Sequence, residues 1–364
     1  MRQDKRIAFL LGTRPEIIKM SPIIRECDRL ELDYFILHTG QHYSYNMDTS
    51  FFEDLELVNP EYNLQVGSGP HGEQTGKMLS GIEKILKKES PKIVLVQGDT
   101  NSTLAGALSA TKLGIKVGHV EAGLRSYDRK MPEEINRVLT DHCSDYLFAP
   151  TDRSKKNLLA EGISEKKIFV TGNTIVDAVF KNLEIANRKK NILTDLNLSS
   201  KKYFLVTVHR QENVDVEVEF SKILDGLEKV RKKFGVPVVY PIHPRSRKQI
   251  IKLALSFAQV RCIKPIDFLG FIQLEKNAKL IMTDSGGVQE EACILKVPCV
   301  TLRDNTERPE TIDVGSNLLA GTRSNEILKS VETMLNREKK WSNPFGNGNA
   351  GRKIIKILCA KNRI

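Results

Sequence analysis

The chain has 364 residues, 40% of them hydrophobic, and a formal net charge of +11 from 56 basic and 45 acidic side chains. That length exceeds one ordinary hydrophobic core and points to two domains. The charge directs attention to an anionic small molecule rather than nucleic acid, because clusters such as Lys87-Lys88 and Arg231-Lys232-Lys233 fall at predicted helix ends without interleaved aromatic residues.

Six cysteines without Cys-x-x-Cys spacing read as reduced core thiols rather than zinc ligands or a disulfide framework. The apolar run starting at Ile7 ends at Gly12, so no signal pattern is expected. No stretch reaches the roughly 18 apolar residues of a membrane span. The expectation is a soluble, cytoplasmic protein with neither a membrane nor a nucleic acid as partner.

Short β-branched apolar runs alternate with helical periodicity, the pattern of parallel sheets built from βαβ units. Strands are predicted in the first half at 7–11, 34–38, 93–97, 117–121, 146–149 and 168–171. A helix is predicted at 78–88, with Met78, Leu79, Ile82, Ile85 and Leu86 on one stripe. The second half repeats the plan with strands at 203–209, 236–242, 260–264, 280–283 and 299–302. A boundary near Gly172, before a helix at 174–187, gives Rossmann-like domains over 1–172 and 173–351. A loop-forming tail leads to a final helix over 352–364. The expected class is α/β, with two doubly wound domains, an interdomain cleft, and motifs at strand C-terminal ends.

Gly12-Thr-Arg-Pro-Glu16 follows the first strand. Thr13 with Glu16 fits a capping box, and Pro15 suits a first helical turn. Arg14, the free N–H groups and Lys19 could form an anion site there, or be solvated cations on a well-capped helix. Asp99 in Gln97-Gly-Asp-Thr-Asn101 either caps the next helix or is left free for chemistry by Thr100, Asn101 and Ser102. Glu121 ends an apolar strand in Gly118-His-Val-Glu-Ala-Gly-Leu-Arg125, with His119 assigned to the core. Pro132 then opens a helix carrying Glu133 and Glu134. These carboxylates suit acid/base work, or else complement a helix N-terminus.

In the second half His209 and His243 each end a strand, positions that suit proton transfer or phosphate contact. Phe271 could stack on a base, although core packing is the default for Phe. Ser285-Gly286-Gly287 offers bare N–H groups to a diphosphate, and Glu290 or Glu291 could accept from a ribose diol. Arg303 and Arg308 suit bidentate phosphate contacts, or a surface network with Asp304, Glu307 and Glu310.

Taken together, Gly12-Thr-Arg-Pro-Glu16, Gly98-Asp-Thr100, Gly118 to Arg125, Pro132-Glu-Glu-Ile-Asn-Arg137, Val208-His-Arg210, Asp284 to Glu291 and Arg303 to Glu310 resemble the non-hydrolysing UDP-N-acetylglucosamine 2-epimerases. The motifs keep their order across nearly the whole chain. The resemblance implies a glycosyltransferase-B-like fold, a final helix that returns to the first domain, and a homodimer. It implies reversible epimerisation at C2 to UDP-N-acetylmannosamine by anti elimination of UDP to 2-acetamidoglucal and re-addition, with no cofactor or metal. Asp99, Glu121 and Glu133 would be the catalytic carboxylates. His209, counted with them, would join Arg14, Lys19, Ser285, Gly286, Gly287 and Arg308 on the diphosphate. Glu291 would take the ribose and Phe271 the uracil. A second UDP-N-acetylglucosamine would bind at an allosteric site through Gln41, His42, Glu134, Arg210 and His243.

Three other readings compete. A hydrolysing epimerase would release N-acetylmannosamine and UDP. A glycosyltransferase of the same fold is a different class, but neither Glu290 nor Glu291 has an acidic partner eight residues on, since Pro298 and Cys299 stand there. A catalytically dead sugar-nucleotide sensor is disfavoured by the presence of all three carboxylates.

Overall fold

A computed structural model describes residues 7–41, 45–242, 244–252 and 260–360. The chain divides into two compact units, Met1–Ala178 with Phe345–Ile364, and Val179–Pro344. Among the described residues the first unit holds β1 (Ile7–Leu11), β2 (Tyr34–His38), β3 (Tyr62–Asn63), β4 (Ile93–Gln97), β5 (Lys116–Val120), β6 (Tyr146–Ala149) and β7 (Ile168–Val170). They form one parallel sheet in the order β3-β2-β1-β4-β5-β6-β7. The second unit holds β8 (Phe204–Thr207), β9 (Val238–Pro241), β10 (Val260–Ile263), β11 (Leu280–Thr283), β12 (Cys299–Thr301) and β13 (Asn317–Leu319). Their order is β10-β9-β8-β11-β12-β13, again all parallel.

Both sheets are doubly wound. The chain order reverses between β1 and β4 in one and between β8 and β11 in the other, and ligands of such sheets bind beyond the strand C-termini at those switch points. The apolar runs form strands because helices cover both faces, leaving every residue of β1 and β4 buried. Met78, Ile82 and Leu86 of helix His71–Glu89 pack with Ala8, Leu10, Val94 and Val96 in one core cluster. In the second unit Phe220, Leu224 and Leu227 of helix Glu217–Phe234 close over Phe204, Val206 and Met282.

Several expectations are corrected. β3 and β13 are short edge strands with too few residues to show alternation. Glu121 lies outside β5, and His209 two residues beyond β8, so both belong to the strand-end loops. The first unit extends past Gly172 to Ala178, because the start of helix Thr174–Lys189 is bound into it. There the Asp177 carboxylate accepts hydrogen bonds from the N–H groups of Ala350 and Gly351 at 3.2 and 3.1 Å, capping helix Ala350–Cys359. That helix packs on helix Arg14–Arg29 of the same unit, where a Cβ on Gly351 would come within 2.9 Å of the Pro22 carbonyl. All six cysteines are free, but Cys262 and Cys359 are exposed rather than in the core. No helix among the described residues is long and apolar enough to cross a membrane.

Candidate active site

In the first unit the chain leaves β5 through a strained residue. Glu121 has φ 72°, a region that side-chain-bearing residues enter at a cost of order 1–3 kcal/mol. The turn aims its buried carboxylate back at helix Arg14–Arg29. Lys19 Nζ donates to Glu121 Oε2 at 2.5 Å, and Asn173 Nδ2 donates to the same oxygen at 3.1 Å. Lys19, expected at a diphosphate, is thus placed on a carboxylate. Gly123, just beyond, is obligatory: its φ is 82° and a Cβ there would lie 2.4 Å from the Ser154 carbonyl oxygen.

Asp99 follows β4 at the switch point. Thr100 caps helix Asn101–Lys112 by accepting from Thr103 N at 3.1 Å, so Asp99 is not needed for that job. Its Oδ2 instead accepts from Arg137 Nε and Nη2 at 2.9 and 2.5 Å. Arg137 Nη1 also donates to Glu134 Oε2 at 2.7 Å. Glu134 further accepts from the Ser126 N–H, the Ser126 hydroxyl and the Tyr127 N–H. Burial pushes its pKa up, but these bonds outweigh it and the net direction is down. Glu134 therefore anchors a loop from inside the fold. Glu133, beside it, is exposed.

Glu16 joins the two switch-point loops. Gly12 N and the Thr13 hydroxyl donate to its Oε2 at 2.9 and 2.8 Å, and the Thr100 and Thr103 hydroxyls donate to Oε1 at 2.8 and 3.0 Å. The expected capping box is therefore altered, because Thr13 donates to Glu16 and makes no side-chain cap bond to the backbone. Burial raises the Glu16 pKa despite these donors. The Arg14 guanidinium sits 5.2 Å from the Phe51 ring centroid. Gln41 Oε1 accepts from the Ser102 hydroxyl at 2.7 Å, a buried tie rather than an open contact. His119 is more than core filling: its ring bridges Asp141 Oδ1, at 2.6 Å, and the Gly98 carbonyl, at 2.8 Å.

In the second unit His209, Phe271 and Ser285 line one cavity of about 260 Å³ beside Tyr240, Pro265 and Val288. The hub below it is Asp284, fully buried, whose carboxylate accepts from the N–H groups of His209 and Arg210 and from Asn213 Nδ2. His209 Nδ1 lies 3.2 Å from Asp284 Oδ1. Burial pushes the Asp284 pKa up, but His209 and the backbone donors outweigh it and the net direction is down. Phe271 is half-buried, and its helix Phe268–Asn277 is capped by Asp267 Oδ1, which accepts from Gly270 N at 2.7 Å.

Ser285, Gly286 and Gly287 open helix Gly286–Ile294 as expected. Arg308 Nε faces Glu290 Oε1 at 2.9 Å, and Glu291 is buried as well. Glu275, also fully buried, is pushed well above the usual carboxylate range by burial and by neighbouring Glu291. The expected surface network is part-buried, with Asp304 left exposed: Glu307 accepts from Arg303 Nη1 at 2.8 Å and Arg210 Nη2 at 2.9 Å. Burial raises the Glu307 pKa, but Arg308, Arg210 and Arg303 outweigh it and bring it down to about 2.

Of the proposed allosteric set, Glu134 and Arg210 have these intramolecular partners, while His42 and His243 lie outside the described residues. Arg137, Asn136, Glu16, Asp284 and Glu307 were not singled out as site residues by sequence reasoning. The spacing of Glu134 and Arg137, three residues apart on one helix, was the available signal for Arg137. Among the described residues no group of three or more His, Cys, Asp or Glu side chains is placed to hold a metal ion.

The family model for UDP-N-acetylglucosamine 2-epimerase matches residues 25–359. The chain is 57% identical over 360 residues to the UDP-N-acetylglucosamine 2-epimerase of Methanocaldococcus jannaschii, covering 97% of this chain and 98% of that one. It is 42% identical over 359 residues to the UDP-2,3-diacetamido-2,3-dideoxy-D-glucuronate 2-epimerase of Pseudomonas aeruginosa, covering 97% and 99%. A crystal structure of the M. jannaschii UDP-GlcNAc 2-epimerase in complex with UDP-GlcNAc and UDP matches with a TM-score of 0.89 at 57% identity, covering 97% of this chain and 99% of that one. The chain belongs to the UDP-N-acetylglucosamine 2-epimerase family.

Proposed function

We propose that this chain interconverts UDP-N-acetylglucosamine and UDP-N-acetylmannosamine without net hydrolysis. The observation that carries the reading is that a family member presents Asp99 and Glu121 at the ends of adjacent strands, each with its own cation, and Glu133 exposed on the following helix. The C2 proton of the sugar is too weakly acidic to leave alone, so its removal is coupled to loss of UDP. A base takes the proton from C2, its electron pair becomes the C1=C2 bond, and the C1–O pair departs on the UDP β-phosphate. A proton then reaches the opposite face of C2 while that phosphate oxygen returns to C1. This needs a base and an acid on opposite sides of C2. Asp99, Glu121 and Glu133 make the proton-transfer set. In the second unit His209, Arg308 and the Ser285–Gly287 N–H groups would stabilise the leaving diphosphate, with Phe271 on the uracil and Glu291 on the ribose.

The test is incubation with UDP-N-acetylglucosamine in heavy water, followed by NMR. UDP-N-acetylmannosamine deuterated at C2 is expected. Free N-acetylmannosamine plus UDP would establish the hydrolysing reaction, and product lacking deuterium would sink the elimination. The 42% identity to the diacetamido-glucuronate epimerase makes that sugar nucleotide the second substrate to assay. A homodimer, a cytoplasmic location and activation by a second UDP-N-acetylglucosamine complete the proposal. Light scattering, fractionation and rate curves that rise more than hyperbolically with substrate would test them in turn.

A further inference from the structure

One helix holds the loop that carries Asp99. Asn136 Nδ2 donates to the Asp99 carbonyl oxygen at 2.9 Å, while Arg137 grips the side chain through two N–H donors. Both residues come from helix Pro132–Cys143, whose first turn bears Glu133. Arg137 is buried, and its third contact, to Glu134, ties it to the loop at Ser126 and Tyr127. A guanidinium can meet carboxylates in two directions at once because its donors form a rigid planar fork, which an ammonium lacks.

We infer that Arg137 is a positioning residue for the epimerisation: it fixes the Asp99 carboxylate against helix Pro132–Cys143 and the Ser126–Tyr127 loop that Glu134 anchors. The inference rests on the proposed function and on the part Asp99 plays in it. Proton transfer on two faces of one carbon demands that both groups stay within hydrogen-bond reach, and a misplacement of about 1 Å can cost on the order of 100-fold in rate. The alternative is that Arg137 serves only to neutralise buried Glu134. That role would be the same whether or not residue 99 could ionise.

The two are separated by a double-mutant cycle in the full chain, with Asp99→Asn, Arg137→Met and the double variant. The readouts are kcat and KM for UDP-N-acetylglucosamine, with slow turnover followed as C2 deuteration. Arg137→Met should lower kcat about 100-fold and change KM less than about threefold. In the Asp99→Asn background the same change should lower kcat less than about twofold, because the group it positions is gone. Should the Met variant fail to fold, Arg137→Lys, which keeps a cation beside Glu134, carries the same comparison. Equal losses in the two backgrounds, or a loss confined to KM, would overturn the inference. Unchanged turnover in Asp99→Asn would remove it together with the role of Asp99. A wild-type chain that deuterates no product would mark the failure as one of the proposed function.

Discussion

The two units share a topology and differ in what they place at the strand ends. Each is a parallel sheet in which the chain turns back at the first strand, between β1 and β4 or between β8 and β11. In the first unit the strand ends carry carboxylates paired with buried cations, Glu121 with Lys19 and Asp99 with Arg137. In the second they carry backbone N–H groups and arginines around carboxylates, with buried Asp284 beneath the His209 loop and part-buried Glu307 between Arg210 and Arg303. One arrangement is suited to moving protons and the other to holding an anion. One fold can suit both because function resides in the loops that the sheet positions.

The comparison breaks most clearly if the first unit also controls nucleotide affinity. Glu121→Gln should lower turnover on the order of 10²–10⁴-fold, the usual share of acid/base catalysis. UDP affinity by calorimetry should stay unchanged; a parallel loss of UDP binding would contradict the division of labour.

A second, smaller effect sharpens the electrostatic contrast. Glu307 is held at about 2 against an ordinary value of 4.5. A carboxylate so depressed adds stability above its unfolded value and loses it as pH falls through the folded one. Wild type and Glu307→Gln should therefore differ by on the order of 3 kcal/mol at neutral pH. In urea denaturation that gap should close as pH falls from about 4 towards about 2, and a gap that persists would refute the ion-pair account. Glu16 in the first unit has the opposite sign: burial raises it, so its carboxylate costs stability as pH rises above the unfolded value.

The smallest expected change concerns the helix under Phe271. Asp267→Ala removes the cap bond to Gly270 N and should cost about 1 kcal/mol of stability. Because that helix carries a cavity-lining ring, UDP affinity should fall slightly while C2 exchange at saturating substrate stays constant. Lost exchange at saturation would contradict a role for this helix confined to nucleotide binding.

Much of the scaffold was legible from the amino acids. Strands such as β1, β4 and β11 announce themselves because a parallel strand buried on both faces must be an uninterrupted apolar run. β3 and β13 do not, since a short edge strand needs only a neighbour's free N–H and C=O groups and leaves little periodicity. Residue type and position after a strand made Asp99, Glu121, His209 and Ser285 candidates, each with a structural alternative, and the family resemblance supplied the roles proposed for them. Their partners were hidden, because Lys19 meets Glu121 across 102 positions and Arg137 meets Asp99 across 38.

The sequence by itself determined the two doubly wound sheets, the strand-end placement of the chemistry-bearing residues and the family. Those follow from local pattern: apolar runs, turn-forming glycines and motif order. Only the tertiary structure decided that Lys19 binds a carboxylate, that Glu134 anchors a loop from within, that Glu290 turns towards Arg308, and that Arg137 grips Asp99. The reason is that a buried charge must find a partner wherever the fold brings one, and that choice depends on distances through space that no spacing along the chain records.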